Sequence, residues 1–215
     1  MSQRQEKLTA LLNKRFGIGK SHTTSIEWTD LKKMGLANEV KRTYMRLGGI
    51  LPEPPLSFGK WDISIDGFLV ELDEEQHFNR YRASTFDSFI YHCENGFDSS
   101  VYSKYCAKYE IACIKKASWG KYWTSPSTER QFGSPGINGN LDGKGSPRWR
   151  QRAYYDYLRD VFALIKRIPV IRISVYDQII VNGKICTAGN ILSGSSQSEL
   201  NEIVKFIERK VDRIL

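Results

Sequence analysis

The 215-residue chain has no apolar run near the ~18–20 residues of a membrane-spanning helix. Met1 to Lys14 is polar and charged and lacks the apolar stretch of a signal peptide. Cysteine is scarce: Cys93, Cys106, Cys113 and Cys186 form no CxxC pair and fit no disulfide framework. Reduced thiols and a cytoplasmic location are expected. Histidine is rarer still, with three residues, and His92-Cys93 with Cys106 and Cys113 lacks the spacing of a zinc site. Internal repeats and low-complexity tracts are missing. Gly17-Ile18-Gly19-Lys20-Ser21 looks like the end of a phosphate-binding loop. The leading glycine of that motif is Lys14 here, and the segment follows a helical pattern instead of a strand, which argues against nucleotide binding.

What is present is charge, unevenly spread. The net charge is +8, from 32 basic and 24 acidic residues. Residues 1–60 are net +6, residues 61–114 net −6, residues 115–172 net +8, and the remainder balances. Basic segments favour polyanions, most often nucleic acid, through phosphate contacts and counterion release. The acidic centre is the unusual part. A nucleic-acid binder gains nothing from carboxylates near phosphate unless a metal ion sits between them.

The pattern predicts one α/β domain with a mixed sheet. Residues 1–57 form an N-terminal helical part, 58–186 a core with a long loop at 118–147, and 187–215 a C-terminal helix. Leu8, Leu11, Leu12 and Phe16 share a helix face. Thr24-Ser25-Ile26-Glu27 fits a capping box that opens a second helix. Asp98 or Ser99 caps a third, and Arg148 to Lys166 is helical with Ala153, Tyr157, Val161 and Leu164 on one side. Pro169 to Val175 reads as a buried strand, and Ile179 to Cys186 as another strand or as a hairpin around Asn182-Gly183. Gln197 to Leu215 is amphipathic, with Leu200, Ile203, Phe206, Ile207, Val211 and Ile214 apolar.

Asp66-Gly67 between two β-like runs is a strong hairpin signal. With those residues as the turn, Ile65 pairs with Phe68, Ser64 with Leu69, Ile63 with Val70, Asp62 with Glu71, Trp61 with Leu72 and Lys60 with Asp73. One face is then apolar: Trp61, Ile63, Ile65, Phe68, Val70 and Leu72. The other sets Asp62 opposite Glu71, with Asp73 one pleat further. Opposed like charges destabilise a sheet unless a cation or proton stabilises them. Two readings follow. The carboxylates bind a hard cation, or the face is solvated with Lys60 as counter-charge.

Asp62 followed by Glu71-Leu72-Asp73 resembles the D…(D/E)xK hairpin of the restriction-endonuclease-like, or PD-(D/E)XK, nuclease superfamily. Val70 to Phe78 resembles the "E-x-D-G-x-x-H" signature of very-short-patch-repair-like endonucleases: Glu71, Asp73 and His77 match in identity and spacing, and Glu74 replaces the glycine. Arg152 to Asp160 leading into Pro169 to Ile173 is similar to their late helix and core strand, and Gln151 and Tyr155 fit a QxxxY motif of some members. The resemblance covers roughly residues 58–82 and 148–176.

It implies a restriction-endonuclease-like mixed central β-sheet flanked by helices, and a Mg2+-dependent endonuclease, with Mn2+ as substitute. By position Asp62 and Glu71 are the metal ligands. Asp73 stands where a lysine is common and is a further ligand or orients water. Lys60 supplies the missing positive charge, and His77 is a general base or supports one. Glu27 is an additional metal residue, or only part of a helix cap. Lys115, Lys116, Lys121, Arg148, Arg150 and Arg152, interleaved with Trp119, Tyr122, Trp123 and Trp149, are the expected contacts to double-stranded DNA; Trp119 and Trp123 have a core reading as well. Restriction by a homodimer and mismatch nicking by a monomer both fit. So do a nuclease-fold protein that binds DNA without cutting and an enzyme acting on RNA.

Overall fold

The computed structural model describes residues 2–92, 97–117, 122–194 and 196–213. Its elements, in chain order, are helices α1 (Gln3–Phe16), α2 (Trp28–Lys33) and α3 (Ala37–Arg46), strands β1 (Ile63–Ile65) and β2 (Phe68–Asp73), helices α4 (Arg80–Thr85), α5 (Ser99–Ala117), α6 (Pro126–Phe132) and α7 (Pro147–Lys166), strands β3 (Val170–Ser174), β4 (Gln178–Val181) and β5 (Lys184–Thr187), and helices α8 (Ala188–Gly194) and α9 (Gln197–Val211).

The fold is mixed α/β. β1, β2 and β3 form one sheet in that order, with β1 antiparallel and β3 parallel to β2. A parallel neighbour requires a crossover, and here α4 to α7 supply it. The hairpin register is the one expected: Ile63 faces Val70, Ser64 faces Leu69 and Ile65 faces Phe68. Gly67 supplies the positive φ of the turn, 90°. β4 and β5 form a separate hairpin, turned by Asn182 and Gly183 at φ 49° and 75°.

Both faces of the sheet are covered, and every residue of β2 is buried. On one face Ile63, Ile65, Phe68, Val70 and Leu72 join Ile171 and Ile173 of β3. They pack with Leu8 and Leu12 of α1, Ile191 and Leu192 of α8, and Ile203 and Ile207 of α9. Each such buried side chain contributes roughly 1.5–3 kcal/mol. The other face presents Leu69, Glu71, Asp73, Val170, Arg172 and Ser174, all buried on the α7 side. A solvated acidic face is therefore excluded.

Local chemistry explains the helix boundaries. Ser2 Oγ accepts from Gln5 N at the start of α1, and Asp98 Oδ1 accepts from Ser100 N and Val101 N before α5. Ser146 Oγ accepts from Trp149 N, Pro147 opens α7, and Arg167 ends it at φ 52°. Three expectations are corrected. Thr24 to Glu27 is not a capping box: Ile26 N donates to Leu56 O and Phe58 N to Thr24 O, so the segment is extended, and Glu27 makes no side-chain cap bond. Residues 118–147 are not one loop, because Ser125 and Thr128 form a capping box that starts α6. The C-terminal part holds two helices, α8 and α9.

Candidate active site

β1 starts at Ile63, so the ladder stops one residue short of the acidic pair. Side chains continue it. Asp62 N donates to Glu71 Oε1 at 3.0 Å, and Leu72 N donates to Asp62 Oδ2 at 2.9 Å. Asp62 and Glu71 are thus held side by side, as the register implies. Gln5 of α1 adds a third tie, its Nε2 donating to Asp62 Oδ1 at 2.7 Å.

The pair opens into a hollow of about 330 Å3. Its floor is Asp62, Glu71 and Leu72, with His77 beside them. Its far wall is one stripe of α7: Arg148, Gln151, Arg152, Tyr155, Asp156 and Arg159. Steps of three and four residues put these on one helix face. Ser146 and Pro147 at the N-terminus fix the start of that helix, and Ala153, Tyr157, Val161 and Phe162 seat its apolar side in the core.

Behind the hollow lies an ion-pair network. Arg172, fully buried on β3 opposite Glu71, grips Asp73 with Nη1 at 2.9 and 3.1 Å and donates from Nε to Asp160 Oδ1 at 2.8 Å. Arg82 donates to Asp160 Oδ2 at 2.8 Å, and Tyr91 OH to the same oxygen at 2.7 Å. His77 Nδ1 lies 2.7 Å from Asp156 Oδ2 and 3.3 Å from Asp73 Oδ1. With a carboxylate on each side, Nδ1 carries the ring proton. Arg159 Nε stands 3.3 Å from Glu71 Oε2, and its guanidinium lies over Phe58 and Trp61.

The electrostatics divide accordingly. Glu71 is pushed up to about 8, chiefly by burial, with the Asp62 charge adding to it and Arg159 opposing. Burial also raises Asp62, against the Leu72 amide and His77. Burial acts on Asp156 too, but there His77, Arg172 and Arg82 outweigh it and hold the carboxyl well below the usual range. Among the described residues Asp62 has no guanidinium or ammonium within ion-pair distance. A half-buried and a buried carboxylate that both line the hollow are the donor set a hard divalent cation takes. The residues fit Mg2+ or Mn2+. Asp73, His77 and Asp156 also lie within ligating distance of one another, but the Nδ1 proton and Arg172 already fill that space.

The sequence-derived residues therefore separate. Asp62, Glu71 and His77 meet at the hollow. Asp73 does not line it, because Arg172, two residues before its register partner Ser174 on β3, holds its carboxylate behind the hollow. Lys60 is not opposite Asp73: it precedes β1, is exposed, and lends only its carbonyl, to Arg159 Nη2 at 3.1 Å. Trp61 leaves the apolar hairpin face and packs on Phe58 and Phe162. Glu27 is exposed and outside the hollow.

Among the expected nucleic-acid contacts, Arg148 and Arg152 line the hollow, and Lys115 and Lys116 are exposed on the last turn of α5. Arg150 is committed to the fold, donating to Leu47 O at 2.6 Å and Gly143 O at 2.8 Å over the Tyr81 ring. Trp123 and Trp149 are core residues in edge-to-face contact. Lys121, Trp119 and Cys93 lie outside the described residues. Sequence reasoning missed Gln5, Asp156 and Arg159. The last two carried a signal, since they continue the stripe that Arg148 and Arg152 begin.

A family model matches residues 42–194, so the chain belongs to that family, described as a family of unknown function (DUF7255). The hollow falls within the matched span apart from Gln5. No curated protein and no solved structure matches the chain.

Proposed function

We propose that this family member is a divalent-metal-dependent endonuclease of the restriction-endonuclease-like type, hydrolysing DNA phosphodiester bonds. The observation that carries this reading is the pairing of half-buried Asp62 with buried Glu71 at a hollow whose opposite wall presents Arg148, Arg152 and Arg159. Carboxylates facing guanidiniums across about 330 Å3 suit a cation and a phosphate together. The antiparallel β1–β2 hairpin, the parallel β3 and the polar stripe of α7 are in keeping with the superfamily resemblance. Double-stranded DNA is the proposed substrate, cut by a homodimer or nicked by a monomer.

In this scheme Asp62 and Glu71 hold the ion, which would activate water and neutralise charge developing on the scissile phosphate. Arg148 and Arg152 bind phosphate oxygens. Arg159, within 3.3 Å of Glu71 and over the Trp61 ring, supplies the fixed positive charge that lysine carries in related hairpins. His77 holds its proton at Nδ1 toward Asp156, which leaves Nε2 as the acceptor for a water. Gln151 and Tyr155 add neutral donors to the arginine wall.

The test is cleavage of supercoiled plasmid with Mg2+ or Mn2+, against EDTA and against Asp62→Ala. Metal-dependent cutting, abolished in the variant, is expected, and linear against open-circular product separates double-strand cutting from nicking. Cutting that survives Asp62→Ala would place the chemistry elsewhere. The Arg159–Glu71 pair favours a second reading, nucleic-acid binding without cutting, since it sets a fixed cation against one ligand. That reading predicts salt-sensitive DNA binding and no metal-dependent product.

A further inference from the structure

A second, larger hollow lies on the other side of Glu74. It measures about 570 Å3, and Glu74 lines both hollows, so the two adjoin at that residue. α1 runs past both. Gln5 reaches Asp62 in the first, while Arg4 and Lys7 line the second. Lys116, on the last turn of α5, lines it as well.

The cations here are held differently from those of the buried network. Arg4 donates from Nε to Ser193 Oγ at 2.8 Å and from Nη1 to Glu75 Oε1 at 2.7 Å, so Glu75 is already neutralised. Among the described residues Lys7 and Lys116 have no carboxylate within ion-pair distance. The hollow therefore offers two ammonium groups outside ion-pair distance of its carboxylates, Lys116 still helping to lower Glu75, beside a fixed guanidinium. An extended polyanion crossing Glu74 would meet these and the arginine wall of the first hollow together, whereas a small free anion could meet only one set.

The geometry points to this hollow as a phosphate subsite for the nucleic-acid strand that enters the candidate active site, with Lys7 and Lys116 as its contacts and Arg4 as their fixed frame. The assignment rests on the nucleic-acid reading above. Arg4 and Lys7 precede the span matched by the family, while Lys116 lies within it.

The test is anisotropy of a labelled DNA duplex in EDTA across a salt series. Lys7→Ala/Lys116→Ala should bind roughly tenfold more weakly, with the log–log salt slope reduced by about 2. Lys32→Ala/Lys33→Ala removes the same charge from α2 and should stay within about twofold of wild type. Inorganic phosphate in the millimolar range should not displace the duplex beyond its contribution to ionic strength. A rise in Tm with Mn2+ that is unchanged in Lys7→Ala/Lys116→Ala would show the first hollow intact. Equal losses in both double variants, or none in Lys7→Ala/Lys116→Ala, would overturn the subsite while leaving the nuclease reading standing. A wild-type protein without salt-dependent DNA affinity would overturn both.

Discussion

Two pairs of carboxylates share the α7 side of the sheet, one fully buried and one with Asp62 only half-buried, and the protein treats them in opposite ways. Asp73 and Asp160, at the rear, are saturated: Arg172 bridges them, and Arg82 and Tyr91 complete Asp160. Asp62 and Glu71, at the front, have mostly neutral partners, the Leu72 and Asp62 amides and the Gln5 side chain. Among the described residues only the Arg159 guanidinium comes within ion-pair distance, at 3.3 Å from Glu71. The rear is a finished structural element. The front sets two carboxyls where burial disfavours their charged form, with little cationic compensation. That difference separates a core network from a site: residue types are alike in both, and only the completeness of compensation differs.

The comparison breaks most severely at Arg172. Arg172→Met leaves Asp73 and Asp160 buried without their shared cation, and a loss of roughly 3–5 kcal/mol is expected in urea denaturation. A loss below about 1 kcal/mol would mean the rear is not the closed network described.

The next effect is pH-dependent. Glu71 sits at about 8 in the folded protein against an ordinary 4.5. Between those values the folded state keeps a proton that the unfolded chain has released. Stability of the metal-free protein should therefore fall as pH rises from about 4.5 to about 8, by up to about 1.4 kcal/mol per pH unit. Glu71→Gln should flatten this slope in denaturation at stepped pH, and a slope unchanged in the variant would remove Glu71 as its source.

A cation should replace that proton. At pH 8, Mn2+ at about 100 times its Kd should add about 2.7 kcal/mol, read as a Tm rise of roughly 5–10 °C for a chain of this size. At pH 5.5 the rise should be smaller, because the proton competes.

The smallest effects sort the arginines of α7. Arg152→Ala should weaken DNA binding several-fold in anisotropy, with about one unit less salt slope. Arg150→Ala should leave affinity unchanged and lower stability by about 1 kcal/mol through the lost carbonyl bonds. Equal behaviour of the two would mean the arginine wall is not specific.

The front of the site was legible because its signal is local. Asp66-Gly67 dictates the register, and the register carries Asp62 to Glu71. The rear was not, because it is built from partners far apart in sequence. Nothing near Asp73 announces Arg172, ninety-nine residues on, and only the parallel pairing of β3 on β2 brings them together. A solvated face is one of the two readings that the pattern at Glu71 and Asp73 allows, and it fails because both are buried on the α7 side. Lys60 was misplaced by continuing the pairing past Ile63, where β1 in fact begins. The stretch before α7 reads as loop from its Gly, Ser, Pro and Asn content, yet Ser125 and Thr128 cap a helix inside it.

The most direct measurement is Mn2+ binding at pH 8, followed by EPR, in wild type, Asp62→Ala and Glu71→Gln. The account predicts an ion bound by the wild-type chain and lost in both variants. A wild-type chain that binds none, or variants that bind it equally well, would contradict a metal centre on this hairpin.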